Sequence, residues 1–187
     1  MQASQNWRWV FNPESQQLSI ELGDGLVHTC PYKTSKLISM HAMNAAFNLE
    51  DAVAFQEMFD VLSSYDHWAP AQILQVSLNH VIFKRFGRPQ MPQSWHFQQQ
   101  TQAPEYPLQK GALVELNSGL TSATFVILNL EGEFAECMLL DKRMELSEIK
   151  SLAEFEVVKV LTNRLQASRL LQSASPKNAD GSLRQRA

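Results

Sequence analysis

Arg88-Pro-Gln-Met-Pro-Gln-Ser-Trp-His-Phe97 is the stretch on which the reading of this chain turns. Pro89 and Pro92 carry no amide hydrogen to donate, and each biases the residue before it away from helix. Trp95, His96 and Phe97 then arrive together. The segment is a poor helix and a poor central strand. It reads as an extended connector ending in an aromatic anchor, with Trp95 and Phe97 holding the two sides in a fixed relation. It lies near the middle of the 187 residues, so it divides the chain into an N-terminal domain, 1–88, and a second domain, 89–168.

Upstream, Trp7, Trp9 and Phe11 alternate with Arg8 and Val10, a period of two that predicts a strand with its aromatic weight on one face. Burial of Trp7 and Trp9 in a core leaves Arg8 on the outer face. Asn12-Pro-Glu-Ser15 is a turn cluster. Leu18, Ile20 and Leu22 form a second strand, Gly23-Asp-Gly25 a tight turn, and residues 26–29 a third strand, giving an antiparallel meander. Residues 32–43 carry no clear pattern. Phe55, Met58, Phe59 and Leu62 then form one stripe of an amphipathic helix, with Asn48 as its N-cap. A second helix begins at Ala69-Pro70, because proline fits a first helical position. Leu74, Leu78, Val81, Ile82 and Arg85 mark its faces, and Gly87 supplies its stop.

Downstream, residues 98–107 read as a polar loop. Residues 112–117 and 121–130 read as strands, with a hairpin turn at Glu131-Gly132 and a return over 133–140. Residues 144–149 read as a further strand. Residues 154–165 fit either a strand or a helix, and the β-branched Val157-Val-Lys-Val160 favours the strand. Residues 169–187 read as a disordered tail. The fold class is α+β: an N-terminal antiparallel sheet with two or more helices, followed by a small twisted, barrel-like β domain.

Hydrophobic residues make up 44% of the chain, enough for a packed core. The net charge of −3 argues against a nucleic-acid partner, which asks for a basic surface. Two distant cysteines, Cys30 and Cys137, form no disulfide framework and fit a reducing compartment. No apolar run approaches membrane-span length, and the N-terminus lacks a signal-peptide pattern. A cytoplasmic protein without a membrane partner is the expectation. The basic residues from Lys159 onward can dock on an acidic partner, with a solvated terminus the stronger reading.

Catalytic motifs are missing. There is no nucleophile elbow, phosphate loop or dinucleotide fingerprint. Glu50-Asp51 sits in the first turn of a predicted helix, where acids favour the helix dipole. Among His28, His41, His67, His80 and His96 none has metal-ligand spacing; His28 and Cys30 share a strand face but lack a third ligand. No catalytic residue, metal or cofactor is expected. A single-stranded nucleic-acid binder using an aromatic β surface is the alternative from a different class.

Asn6-Trp-Arg-Trp9, Pro89-Gln-Met-Pro-Gln-Ser-Trp-His-Phe97 and Leu161-Thr-Asn-Arg-Leu165, in this order and spacing, resemble the ZapC family of cell-division proteins of Gram-negative bacteria. The resemblance runs from about residue 6 to 166, and the tail beyond has no counterpart. It implies an α/β domain followed by a twisted, barrel-like β domain. It also implies a non-enzymatic factor at the mid-cell division ring that binds polymerised FtsZ, promotes lateral bundling of protofilaments and damps GTP turnover. Bundling needs contact with two filaments, which a monomer with two surfaces or a dimer with one each supplies; the two domains favour the monomer. FtsZ is acidic, so Arg8, Lys84, Arg85 and Arg88 are the candidate partner contacts. Lys84 and Arg85 serve equally as cations at a helix C-terminus. Leu22 is a candidate for an apolar pocket, with core packing the stronger reading.

Overall fold

The computed structural model describes residues 3–4, 6–65, 68–101 and 107–168. Part of the expected polar loop, His67 and the expected disordered tail therefore lie outside the described residues. The α+β expectation holds: a front sheet, a helix pair and a second sheet follow one another along the chain.

The front sheet has the order β3-β2-β1-β4, all antiparallel, from β1 (Arg8–Asn12), β2 (Gln17–Gly23), β3 (Leu26–Thr29) and β4 (Met43–Ala46). The first three are the expected meander. The fourth begins at Met43, where the stretch without a legible pattern ends, and no strand is expected there; Met-Asn-Ala-Ala has low strand propensity and is recruited by pairing with β1. Trp9, Phe11, Leu18 and Ile20 point inward and are buried, as is Trp7 just before β1. Trp7 meets Phe47 and Phe55 edge-on, and Trp9 stacks on Phe47. The turn between β2 and β3 places Gly23, Asp24 and Gly25 all at positive φ, which explains its glycines.

Helix α1 spans Leu49–Ser63 and α2 spans Pro70–Phe86. Asn48 caps α1 through a reciprocal box with Asp51: the Asp51 amide donates to Asn48 Oδ1, and the Asn48 amide donates to Asp51 Oδ2. Proline opens α2 as expected. Gly87 does stop it, but not by a left-handed turn. Its φ is −64°, and an added Cβ would lie 2.4 Å from the Phe83 carbonyl oxygen, so only glycine fits this close approach.

The single stripe expected on α1 divides between two cores. Phe55 joins the front core, whereas Met58 and Leu62 pack on the second sheet and Phe59 touches both. Helix α2 divides likewise. Leu74, Leu78, Val81, Ile82 and Phe86 face the front sheet, and Ile73, Val76 and Phe83 face the second. The helix pair is thus the middle layer between two sheets.

The second sheet has the order β10-β7-β6-β5-β11, from β5 (Leu113–Asn117), β6 (Ser122–Glu131), β7 (Phe134–Leu139), β10 (Val157–Leu161) and β11 (Gln166–Ala167). It is covered on both faces. Val126, Leu128, Met138 and Val157 press on the helices, and Phe125, Ile127, Cys137 and Val158 enter a separate core. A hairpin of β8 (Arg143–Ser147) and β9 (Lys150–Ala153) contributes Met144, Leu146 and Leu152 to that separate core. The barrel-like domain is therefore an open five-stranded sheet plus a two-stranded hairpin rather than a closed ring. Ile149, expected at the end of a strand, sits at the hairpin tip and is almost fully exposed. Residues 157–161 form a strand, as their β-branching favours.

One polar cluster ties the helices to the front sheet. Asp51 is buried, and its Oδ2 accepts from Trp9 Nε1 at 2.8 Å, from the Asn48 amide at 3.0 Å and from Arg85 at 2.5 Å. The Arg85 guanidinium lies 5.7 Å from the Trp9 ring centroid and 5.5 Å from that of Phe86. Asp51→Ala leaves these donors without their acceptor and is expected to cost about 3 kcal/mol of stability in urea unfolding. A loss below about 0.5 kcal/mol would mean that solvent already screens the pair.

Candidate functional site

Residues 88–97 cross from the front half to the second sheet and are pinned at both ends. Gly87 pairs with Leu37 in an antiparallel bridge, the Arg88 amide donates to the Lys36 carbonyl at 2.9 Å, and the Ile38 amide donates to the Phe86 carbonyl at 2.8 Å. Four residues on, Pro92 pairs in parallel with Lys159, and the Gln93 amide donates to the Lys159 carbonyl at 2.7 Å. A short 3-10 turn, Ser94–His96, follows. Ser94 is buried, and its Oγ accepts from the Leu161 amide at 2.8 Å. Phe97 enters the separate core of the second sheet, edge-on to Phe125.

The expected pair of aromatic anchors is half right. Phe97 is an anchor, but within the second half only. Trp95 is 73% exposed and anchors nothing. Ser94 and Phe97 fasten the segment to the second sheet, while the two halves are joined mainly by the helix pair. A 3-10 turn explains the difference, since it separates the directions of neighbouring side chains without the two-residue alternation of a strand.

Trp95 and Met91 (79% exposed) flank a shallow concavity of about 340 Å³. Lys36 and Arg88 line it too, with Ser35 and Gln93. Arg88 Nε donates to the Leu37 carbonyl at 2.6 Å, which fixes the stem and leaves the head at the surface. An exposed aromatic, a methionine and an arginine are thus presented on a backbone held at both ends, with Lys36 beside them.

The other sequence-derived candidates scatter. Arg8 is exposed on the outer face of the front sheet, donating from Nε to Asn44 Oδ1 at 2.6 Å. Leu22 is half-buried and packs against the front core. Arg85 turns inward to Asp51. Lys84 is exposed and points the other way, into a cleft of about 450 Å³ between α2 and the second sheet, which Arg88 also reaches. Of the five, only Lys84 and Arg88 come together. The aromatic surface needed for single-strand stacking is not available at Trp7 and Trp9, which are 2% and 0% exposed.

His28 and Cys30 also part company. His28 Nε2 lies 2.8 Å from Asn79 Oδ1, while the Cys30 thiol points to the Tyr32 carbonyl and burial pushes it up to about 11. No group of three metal-ligating side chains occurs among the described residues, and none of their helices is long and apolar enough to cross a membrane.

His80 carries no sequence signal that would single it out from the other histidines. It falls in the row of α2 that faces the second sheet, between Val76 and Phe83, where an apolar side chain is the rule. It is 2% exposed, lines the 450 Å³ cleft, and neither ring nitrogen has a protein partner. Burial, then the charges of Lys110 and Lys84, push its pKa down to about 3. The ring's ordinary value is 6.5, so between these limits the unfolded chain binds a proton that the folded chain refuses. This contribution to stability is complete above the upper limit. It falls as acid is added across the window, by about tenfold in the folding constant per pH unit. In urea unfolding over that range, His80→Leu is expected to lack this slope; equal slopes in both proteins would contradict it.

Residues 1–88 match the family described as cell-division protein ZapC, N-terminal, and residues 89–170 match cell-division protein ZapC, C-terminal. The chain is 44% identical over 166 residues to the cell division protein ZapC of Idiomarina loihiensis, covering 88% of this chain and 89% of that one. It is 32% identical to the protein of that name from Shewanella frigidimarina, covering 89% and 93%. For Pseudoalteromonas translucida the identity is 30%, covering 88% and 92%. The chain belongs to the ZapC family of cell-division proteins.

Proposed function

We propose that this chain is a non-enzymatic division factor that binds polymerised FtsZ at the mid-cell ring, bundles protofilaments laterally and damps their GTP turnover. The observation that carries this reading is the solvent-facing Trp95 and Met91 between Lys36 and Arg88, on the segment that also carries the family resemblance. Aromatic and arginine side chains dominate protein interfaces, because a large rigid area or a planar charged fork is brought out of water at small entropic cost. The flanking cations suit an acidic partner and would steer its approach.

Bundling needs two contacts per unit. A monomer with two surfaces supplies them, one on the front sheet with Arg8 and Leu22 and the other at the junction with Arg88 and Trp95. Weak single contacts suffice, because a filament presents many sites and later contacts become intramolecular.

The protein is expected to co-sediment with GTP-assembled FtsZ and to thicken filaments in negative-stain images. Sedimentation no better than that of an unrelated protein of similar charge would sink the reading. Trp95→Ala and Arg88→Glu are expected to weaken co-sedimentation about tenfold or more, the loss of a central interface residue being worth about 2 kcal/mol. Both should leave the thermal midpoint nearly unchanged. If Arg88→Glu unfolds the protein, its bond to the Leu37 carbonyl is structural and Trp95→Ala alone decides.

A further inference from the structure

We propose that the cleft between α2 and the second sheet is a binding site for a small oxyanion, a phosphate ester or a polycarboxylate, received by His80, Lys84 and Lys110. Three observations on different elements converge there.

The first is His80 itself. A buried polar ring with no partner is costly, and such groups are uncommon in folded proteins. Here it stands where α2 otherwise presents Ile73, Val76 and Phe83. Its setting keeps the ring neutral, so one nitrogen carries a proton that it can donate once an oxygen reaches it from the cleft.

The second is the charge of the walls. Lys84, Arg88, Lys110 and Lys159 line the cleft against Glu131 and Glu136. Lys159 is 2.9 Å from Glu131, and Lys110 is 2.7 Å from Glu57, a largely exposed acid outside the lining. Lys84 has no ion pair among the described residues. It lies one turn beyond His80 on the same face of α2, and Lys110 approaches from just before β5. Both cations act on the ring strongly enough to disfavour its charging. An anion between them would offset their mutual repulsion and accept their hydrogen bonds.

The third is shape. Gly87 brings no side chain into the cleft, and Leu128 and Phe83 supply apolar wall. About 450 Å³ lies within the range of small-molecule sites, and a ring only 2% exposed is reached more readily by a small ligand than by a protein surface. The inference does not rest on FtsZ binding: Trp95 and Met91 take no part in this cleft, and Arg88, which lines both places, is not among the three groups that receive the anion.

The test is the thermal midpoint of the full chain in potassium phosphate and, separately, in potassium citrate. Each is compared with potassium chloride of equal ionic strength. The expected result is a saturable rise with at least one oxyanion; at a concentration a hundred times its dissociation constant, the unfolding constant falls about a hundredfold. Saturation by phosphate alone assigns a phosphate ligand, and by citrate alone a carboxylate. Lys84→Ala, at an exposed helix position, should keep its midpoint in chloride and bind the oxyanion about tenfold more weakly. The ring signals of His80 in magnetic resonance should move with the same saturation curve. Three results overturn the site: a rise that does not saturate, which is general salting; a saturable rise unchanged in Lys84→Ala; or saturation without movement of the His80 signals.

Discussion

The packing of α1 and α2 between two sheets is the constraint on which the other features depend. Trp9, Ile20 and Phe47 press on the pair from one side, and Leu113, Val126, Met138 and Leu140 from the other. Each such side chain contributes about 1.5–3 kcal/mol when taken out of water, so neither sheet dispenses with the helices. Because both helix faces are occupied, polar groups on α2 have few places to go. Arg85 finds Asp51 beside the front core, Asn79 meets His28, and His80 is left in the cleft without a protein partner.

The same arrangement determines what the connector can do. The two halves already share a core, so residues 88–97 need not hold them together. Backbone bonds at Lys36 and Lys159, with Ser94 and Phe97, keep the segment in place. Trp95 and Met91 are thereby released to the surface. A large aromatic that stays exposed on an otherwise fixed backbone is preorganised for contact, and little freedom is lost when a partner covers it. This is the physical reason to place recognition on the connector rather than on the front sheet alone.

Much of the fold was legible because alternation and helical spacing are local. Trp7, Trp9, Leu18 and Ile20 announced a half-buried sheet, and Asn48 and Pro70 announced helix starts. What stayed hidden depends on distant neighbours. Strand β4 is called up by β1, not by its own residues. The division of Phe55 from Met58 and Leu62 follows from a second buried face that no single stripe reveals. Consecutive apolar residues such as Phe125-Val-Ile-Leu128 do signal burial on both sides, and they offered the one clue to the middle layer. Of the candidate site residues, Arg88 and Lys84 could be placed at the junction from sequence. The inward turn of Arg85 could not, since Asp51 lies 34 residues away. His80 becomes conspicuous only once the row it interrupts is known to be buried.

The helix pair makes one cooperative body of two sequence regions. Native-state hydrogen exchange across a urea series tests it most directly. Amides of β1 and β2, of the middle of α2, and of β6 and β7 are expected to reach the same opening free energy, because loss of the helices uncovers both sheets. Protection of β6 and β7 that persists after β1, β2 and α2 have exchanged would contradict it.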